Sequence, residues 1–142
     1  KLINTKWPQA HITAVDIDPV MIKLAKKYFN LDVVPHLKII NSDAFTFVAR
    51  SLPRKKTLRG YDLAIIDLYI GRTLPAKVQS QPFVTHIKKL LTPQGVGIFN
   101  YVNYGSNADL ISGQVKLLQS IFPAVSTRKI LSNTLAFCSL KR

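Results

Sequence analysis

Ala14-Val15-Asp16-Ile17-Asp18-Pro19-Val20-Met21-Ile22-Lys23-Leu24-Ala25-Lys26-Lys27-Tyr28 is the stretch on which the fold turns. It completes a short apolar run, His11 to Asp16, that reads as a buried strand with polar ends. Asp18-Pro19 then supplies a helix N-cap and a proline at the first helical position, where a missing N–H does no harm. Met21, Leu24, Ala25 and Tyr28 follow at helical spacing, with Lys23, Lys26 and Lys27 between them. The unit is strand, acidic turn, amphipathic helix.

The same grammar recurs downstream in different residues. Leu37 to Ile40 reads as a second strand, Asn41-Ser42-Asp43 as a turn, and Ala44, Phe45, Val48, Ala49 and Leu52 as the stripe of another helix. Arg50 to Arg59 is a basic connection. Tyr61 to Asp67 is a third strand, apolar enough to be expected under cover on both faces, as a central parallel strand is. Leu68 to Gln81 reads as a loop, Pro82 opens a helix with Phe83, Ile87, Leu90 and Leu91 inward, and Thr92-Pro93-Gln94-Gly95 stops it. Val96 to Tyr101 is a fourth strand and Ser106 to Phe122 a long amphipathic helix. Ala124 to Arg128 and Thr134 to Leu140 read as two last strands, joined by Ser132-Asn133 as an antiparallel hairpin.

Alternating strands and helices predict an open α/β sheet, mostly parallel, and the absence of repeats or linkers predicts one domain over 1–142. In such sheets ligands bind beyond the carboxyl ends of the strands. Asp16, Asp43, Asp67 and Asn100 are at those ends, so three of the seven acids fall there. A carboxylate at the position of Asp16 can accept hydrogen bonds from both hydroxyls of a ribose, and Asp43 can accept from an adenine amine while Ala44 leaves room for the ring. Together they point to a nucleoside pocket. The alternative for either alone is helix capping, for which Asp is favoured in any case.

Ala14 to Phe29, Asn41-Ser42-Asp43-Ala44-Phe45-Thr46-Phe47, Tyr61 to Asp67 and Leu90-Leu91-Thr92-Pro93-Gln94-Gly95-Val96 together resemble the Rossmann-type S-adenosylmethionine-dependent transferases. Within that fold the chain is most similar to the spermidine synthase-like, or polyamine aminopropyltransferase, group, and the resemblance covers nearly all of it. It implies S-adenosylmethionine, or its decarboxylated form, as co-substrate, with no metal. By the same resemblance Asp16 holds ribose, Ile17 flanks the adenine, Asp43 and Ala44 hold adenine, and Asp67 stands at the catalytic edge.

Two departures qualify what is implied. The first strand and glycine-rich loop of this fold are absent ahead of Lys1 to Trp7, which resembles the end of the first helix. Omitting a strand between those of Ile12 to Asp16 and Asp62 to Asp67 would leave two rows of open backbone groups, at roughly 1 to 3 kcal/mol each. A native chain longer at its N-terminus is therefore expected, and this stretch alone is expected to be inactive. The aminopropyltransferases similar to it also carry a second acid three residues after the first; here Ile70 stands in that place. Asp67 alone can still act as base or amine anchor, Tyr69 can add an aromatic wall, and Asn100 and Tyr101 can line an acceptor pocket.

Composition weighs on the acceptor. Twenty Lys and Arg face seven acids, all Asp, for a net charge of +13. Such a field repels a di- or trication and favours an anionic substrate, which tells against authentic spermidine synthesis. Methyl transfer uses the same pocket, and Asp67-Leu68-Tyr69 lacks the Asn/Asp-Pro-Pro-aromatic tetrapeptide of enzymes that methylate base amines. A non-catalytic basic module is the remaining class, with Arg50, Arg54, Lys55, Lys56, Arg59 and the Lys141-Arg142 tail on phosphates. The expected partners are a small-molecule acceptor, a second copy in a homodimer, and weak non-specific nucleic acid.

The remaining signals exclude more than they assign. Cys138 is the single cysteine, which rules out an internal disulfide and suggests a small core residue in a reducing, cytoplasmic setting. No apolar run reaches the roughly 18 residues of a membrane span. His11, His36 and His86 are scattered, without metal-binding spacing.

Overall fold

The computed structural model describes residues 2–52, 60–103 and 108–141. These form two units, Lys1–Arg50 and Ser51–Arg142. The expected basic loop residues Arg54, Lys55, Lys56 and Arg59, together with Arg142, lie outside the described residues.

In the first unit, a short helix α1 (Leu2–Lys6) precedes strand β1 (Ile12–Asp16), helix α2 (Pro19–Phe29), strand β2 (Leu37–Asn41) and helix α3 (Ala44–Arg50). β1 and β2 pair in parallel from Ile12 opposite Leu37 to Asp16 opposite Asn41. The capping signal is borne out in detail. Asp18 Oδ1 accepts from the N–H groups of Val20 at 2.7 Å and Met21 at 3.3 Å, two of the donors that a helix start leaves open. Asn30 ends α2 with φ of 49°, a left-handed conformation that Asn tolerates. The stripe of α2 is less covered than its periodicity suggests: Met21, Leu24 and Tyr28 are exposed, and Ala25 is half-buried. Among the described residues of this unit, Val48 is the one buried hydrophobic.

The second unit is a four-stranded sheet in the order β3-β4-β6-β5, from β3 (Tyr61–Ile66), β4 (Leu91–Val102), β5 (Ala124–Ile130) and β6 (Asn133–Ser139), with helices α4 (Gln81–Leu90) and α5 (Ala108–Ile121). β3 and β4 are parallel, whereas β4 with β6 and β5 with β6 are antiparallel. The C-terminal hairpin therefore inserts its second strand beside β4. Phe99, Leu118, Val84, Val78 and Cys138 are the largest fully enclosed side chains. Each such large apolar side chain contributes roughly 1.5 to 3 kcal/mol when fully buried.

Three local expectations need correction. α4 does end at Leu90, ahead of Thr92-Pro93-Gln94-Gly95, but the fourth strand starts at Leu91 rather than Val96, and the stretch lies inside β4 as extra residues opposite Tyr61 to Leu63. The approach is close: a Cβ on Gly95 would stand 2.7 Å from the Tyr61 carbonyl oxygen. The final hairpin turns at Leu131-Ser132 rather than Ser132-Asn133, with Leu131 at φ of 52°. Finally, β3 is not covered on both faces, because Leu63 and Ile65, on one face, are 38% and 58% exposed, and among the described residues it pairs with β4 alone. β1 and β3, the strands expected to flank an absent first strand, each pair on one side only among the described residues.

Candidate functional site

On the first unit, the chain after β1 is tied to the end of β2. Ser42 N–H donates to the Asp16 carbonyl at 2.9 Å, and Asn41 Nδ2 donates to the carbonyls of Asp16 at 3.0 Å and Ile17 at 2.9 Å. Asp16 bends back on its own turn, its Oδ1 accepting from Asp18 N–H at 2.8 Å. A carboxylate has about four acceptor sites, so the second oxygen of this exposed group can still take a donor pair such as a ribose diol. Ile17 is 66% exposed and offers an apolar surface beside it. Asp43 caps α3 through Oδ1, which accepts from Thr46 N–H at 2.8 Å and Thr46 Oγ1 at 3.0 Å, and Ala44 begins that helix. Asp43 thus caps a helix, whereas Asp16 closes a turn ahead of the Asp18 cap. In the sequence Asn41 reads only as a turn former, whereas its side chain ties the end of β2 to the turn after β1.

On the second unit, Asp67 follows β3 and Asn100 lies on β4, one step beyond the last paired residues, Ile66 and Phe99. Asn100 Nδ2 donates to Asp67 Oδ1 at 2.9 Å. A carboxylate can only accept, so the amide orientation is fixed by chemistry. Asn100 Oδ1 is then buried with no hydrogen-bond partner among the described residues. A buried acceptor is ordinarily met by a donor, and one left open costs of order 1 to 3 kcal/mol. The Tyr69 hydroxyl accepts from Val102 N–H at 2.7 Å and donates to the Asn100 carbonyl at 3.4 Å.

Asp67, Tyr69 and Asn100 are therefore joined by hydrogen bonds, whereas Tyr101 is near Tyr69 and takes no part in those bonds. Strand alternation turns Tyr101 to the opposite face of β4, where it is buried. Burial, followed by the nearby Cys138 and Tyr69, pushes its ionisation above the ordinary phenol range. Burial likewise pushes the Cys138 thiol up to about 12, so it is a core residue and not a reactive one. The histidines are less scattered than their spacing suggests, since the rings of His11 and His36 stand 4.9 Å apart at the start of β1 and β2. No helix among the described residues is long and apolar enough to cross a membrane.

Comparison with known proteins adds three findings. The family described as "Spermine/spermidine synthase domain" matches residues 5–138. The chain is 30% identical over 144 residues to the eEF1A lysine and N-terminal methyltransferase homolog of Drosophila pseudoobscura pseudoobscura, covering 96% of this chain and 21% of that protein. It is 36% identical over 101 residues to Polyamine aminopropyltransferase 2 of Aquifex aeolicus (strain VF5), covering 66% of this chain and 19% of that protein. It thus spans about a fifth of the length of these curated relatives. Among solved structures, human methyltransferase-like protein 13 in complex with SAH superposes with a TM-score of 0.86 at 27% identity, covering 98% of this chain and 65% of that one.

Proposed function

The chain belongs to the spermine/spermidine synthase domain family, and from that membership we propose that it takes part in group transfer from S-adenosylmethionine to an amine. The observation that carries the reading is the Asp67 and Asn100 pair, with one buried acceptor, Asn100 Oδ1, held open beside a carboxylate. A primary or secondary amine suits it, because its N–H groups can meet Asn100 Oδ1 and Asp67 at once.

The bound sulfonium supplies an electrophilic carbon, which the amine lone pair takes as the carbon–sulfur pair returns to sulfur. The residues of this chain do the rest. Taken by itself, the first unit offers Asp16 to the ribose hydroxyls, Ile17 to the adenine face and Asp43 with Ala44 to the adenine edge. Asn100 orients the amine through Oδ1 and fixes Asp67 through Nδ2. Asp67 accepts a proton from the ammonium form of the acceptor, and that loss frees the nitrogen lone pair for attack. The ring of Tyr69 walls the acceptor.

Methyl transfer to an amine of a protein is the form favoured here, supported by the match of 96% of the chain to a methyltransferase relative. The net charge of +13 supports it too, since a polyamine cation would be repelled. Aminopropyl transfer from the decarboxylated co-substrate is the second reading, supported by the 36% identity to an aminopropyltransferase. Incubation with each co-substrate and a mixed panel of amine-bearing peptides and polyamines, followed by mass spectrometry, separates them. S-adenosylhomocysteine as product indicates methylation and methylthioadenosine indicates aminopropyl transfer. Formation of neither in the full chain overturns both.

A further inference from the structure

Backbone pairing between β3 and β4 ends at Ile66 opposite Phe99, yet β4 runs on to Val102. On its other side β4 stays paired with β6 to the end, Asn100 opposite Leu135 and Val102 opposite Asn133. In a strand, alternate residues direct their N–H and C=O to the same neighbour, so Asn100 and Val102 share a side. The side they turn toward Tyr69 is the one that β3 has left. The Tyr69 hydroxyl meets both groups there, accepting from Val102 N–H and donating to the Asn100 carbonyl. A side chain thereby continues the ladder where the backbone has stopped.

From this geometry we infer that Tyr69 is a positioning residue, whose hydroxyl holds the segment after β3 on the end of β4 and so keeps Asp67 in hydrogen-bond reach of Asn100. Three links now join that segment to β4: Asp67 to the Asn100 side chain, and Tyr69 to the Asn100 carbonyl and the Val102 amide. Beyond Tyr69 the chain folds on itself. Ile70 and Thr73 exchange two backbone hydrogen bonds of 3.0 Å around Gly71, at φ of 59°. The turn leaves Tyr69 as the last residue of the segment to reach β4 among these hydrogen bonds. Its importance for turnover rests on the transfer reading above, whereas its hold on Asp67 and Asn100 does not.

Tyr69→Phe removes the hydroxyl and keeps the ring, and the test follows the Asn100 side-chain amide by NMR in the full chain. The expected result is a shifted Asn100 Nδ2 signal in Y69F, with faster solvent exchange of the Val102 amide. Where the wild type transfers a group to an amine peptide, kcat should fall about tenfold in Y69F, since small misplacements at a reacting centre are amplified. S-adenosylhomocysteine affinity should be unchanged. An Asn100 signal identical in Y69F and wild type overturns the inference, as does a wild-type kcat in Y69F. So does a Val102 amide that exchanges without protection in the wild type, a result that needs no variant. A wild type that transfers nothing counts against the enzyme reading alone, because the NMR signals still decide the role of Tyr69.

Discussion

Asn100 holds Asp67 with its amide nitrogen and keeps its amide oxygen buried and unpartnered. One side chain thus fixes a carboxylate and, among the described residues, leaves its own acceptor without a donor. Asp67→Asn keeps the size and removes the base. Turnover should drop by at least about 100-fold, the low end of what a general base supplies. S-adenosylhomocysteine affinity, measured by calorimetry, should be unaltered. Retained turnover in D67N would remove Asp67 from the proton path.

Asp18→Ala deletes the cap of α2, at a cost of about 1 kcal/mol. The backbone N–H of residue 18, which donates to Asp16, is kept in the variant, so the loss should be confined to the start of α2. Amide exchange of Val20 and Met21 should rise in D18A while β4 amides stay protected. Asp18→Asn, which can still cap, should restore most of the protection.

Alkaline pH should unfold the sheet unit through Cys138 and Tyr101. Both are acids whose folded-state pKa lies above the ordinary value, so folding favours their neutral forms. The stability they contribute is complete below the ordinary thiol and phenol values, 9.0 and 10.0, and is lost as pH rises through the folded-state values. For Cys138 the window closes at about 12. Urea midpoints should be level up to about pH 8 and fall beyond it, with a shallower fall in Cys138→Ala. An identical slope in C138A would show that the thiol carries none of the effect.

Gly95→Ala places a methyl group 2.7 Å from the Tyr61 carbonyl oxygen, a backbone atom with little room to give. The overpacking should cost about 1 to 3 kcal/mol. Gly113→Ala is the control, since a Cβ there meets nothing within 4 Å, and should stabilise α5 by a few tenths of a kcal/mol to about 1. Thermal melts of the pair should therefore move in opposite directions.

What could be read in the sequence divides by the range of the interactions. Asp18-Pro19 names its own helix start, because an N-cap works over two or three residues, and Asp16, Asp43 and Asp67 fall at strand ends that alternation alone locates. The hydrogen bond between Asp67 and Asn100 spans 33 residues and needs the β3 to β4 register, which no local pattern encodes. Tyr69 reads as an aromatic wall since its ring is what the sequence displays, while the use of its hydroxyl depends on where the β3 ladder stops. Thr92-Pro93-Gln94-Gly95 carries a genuine turn signal that tertiary pairing overrides by taking it up as a bulge. His11 and His36 meet only through the parallel pairing that sets Ile12 opposite Leu37.

Val48 being the one enclosed hydrophobic of Lys1–Arg50, among the described residues, has a consequence for how a nucleoside would be recognised. A scaffold with so little interior has much to gain from a guest. Occupancy and local order at Asp16 and Asp43 should rise together, as linkage requires of any ligand that favours the folded form. Proteolytic resistance of the segment from β1 to α3 thereby becomes a gauge of ligand binding that asks nothing about the reaction.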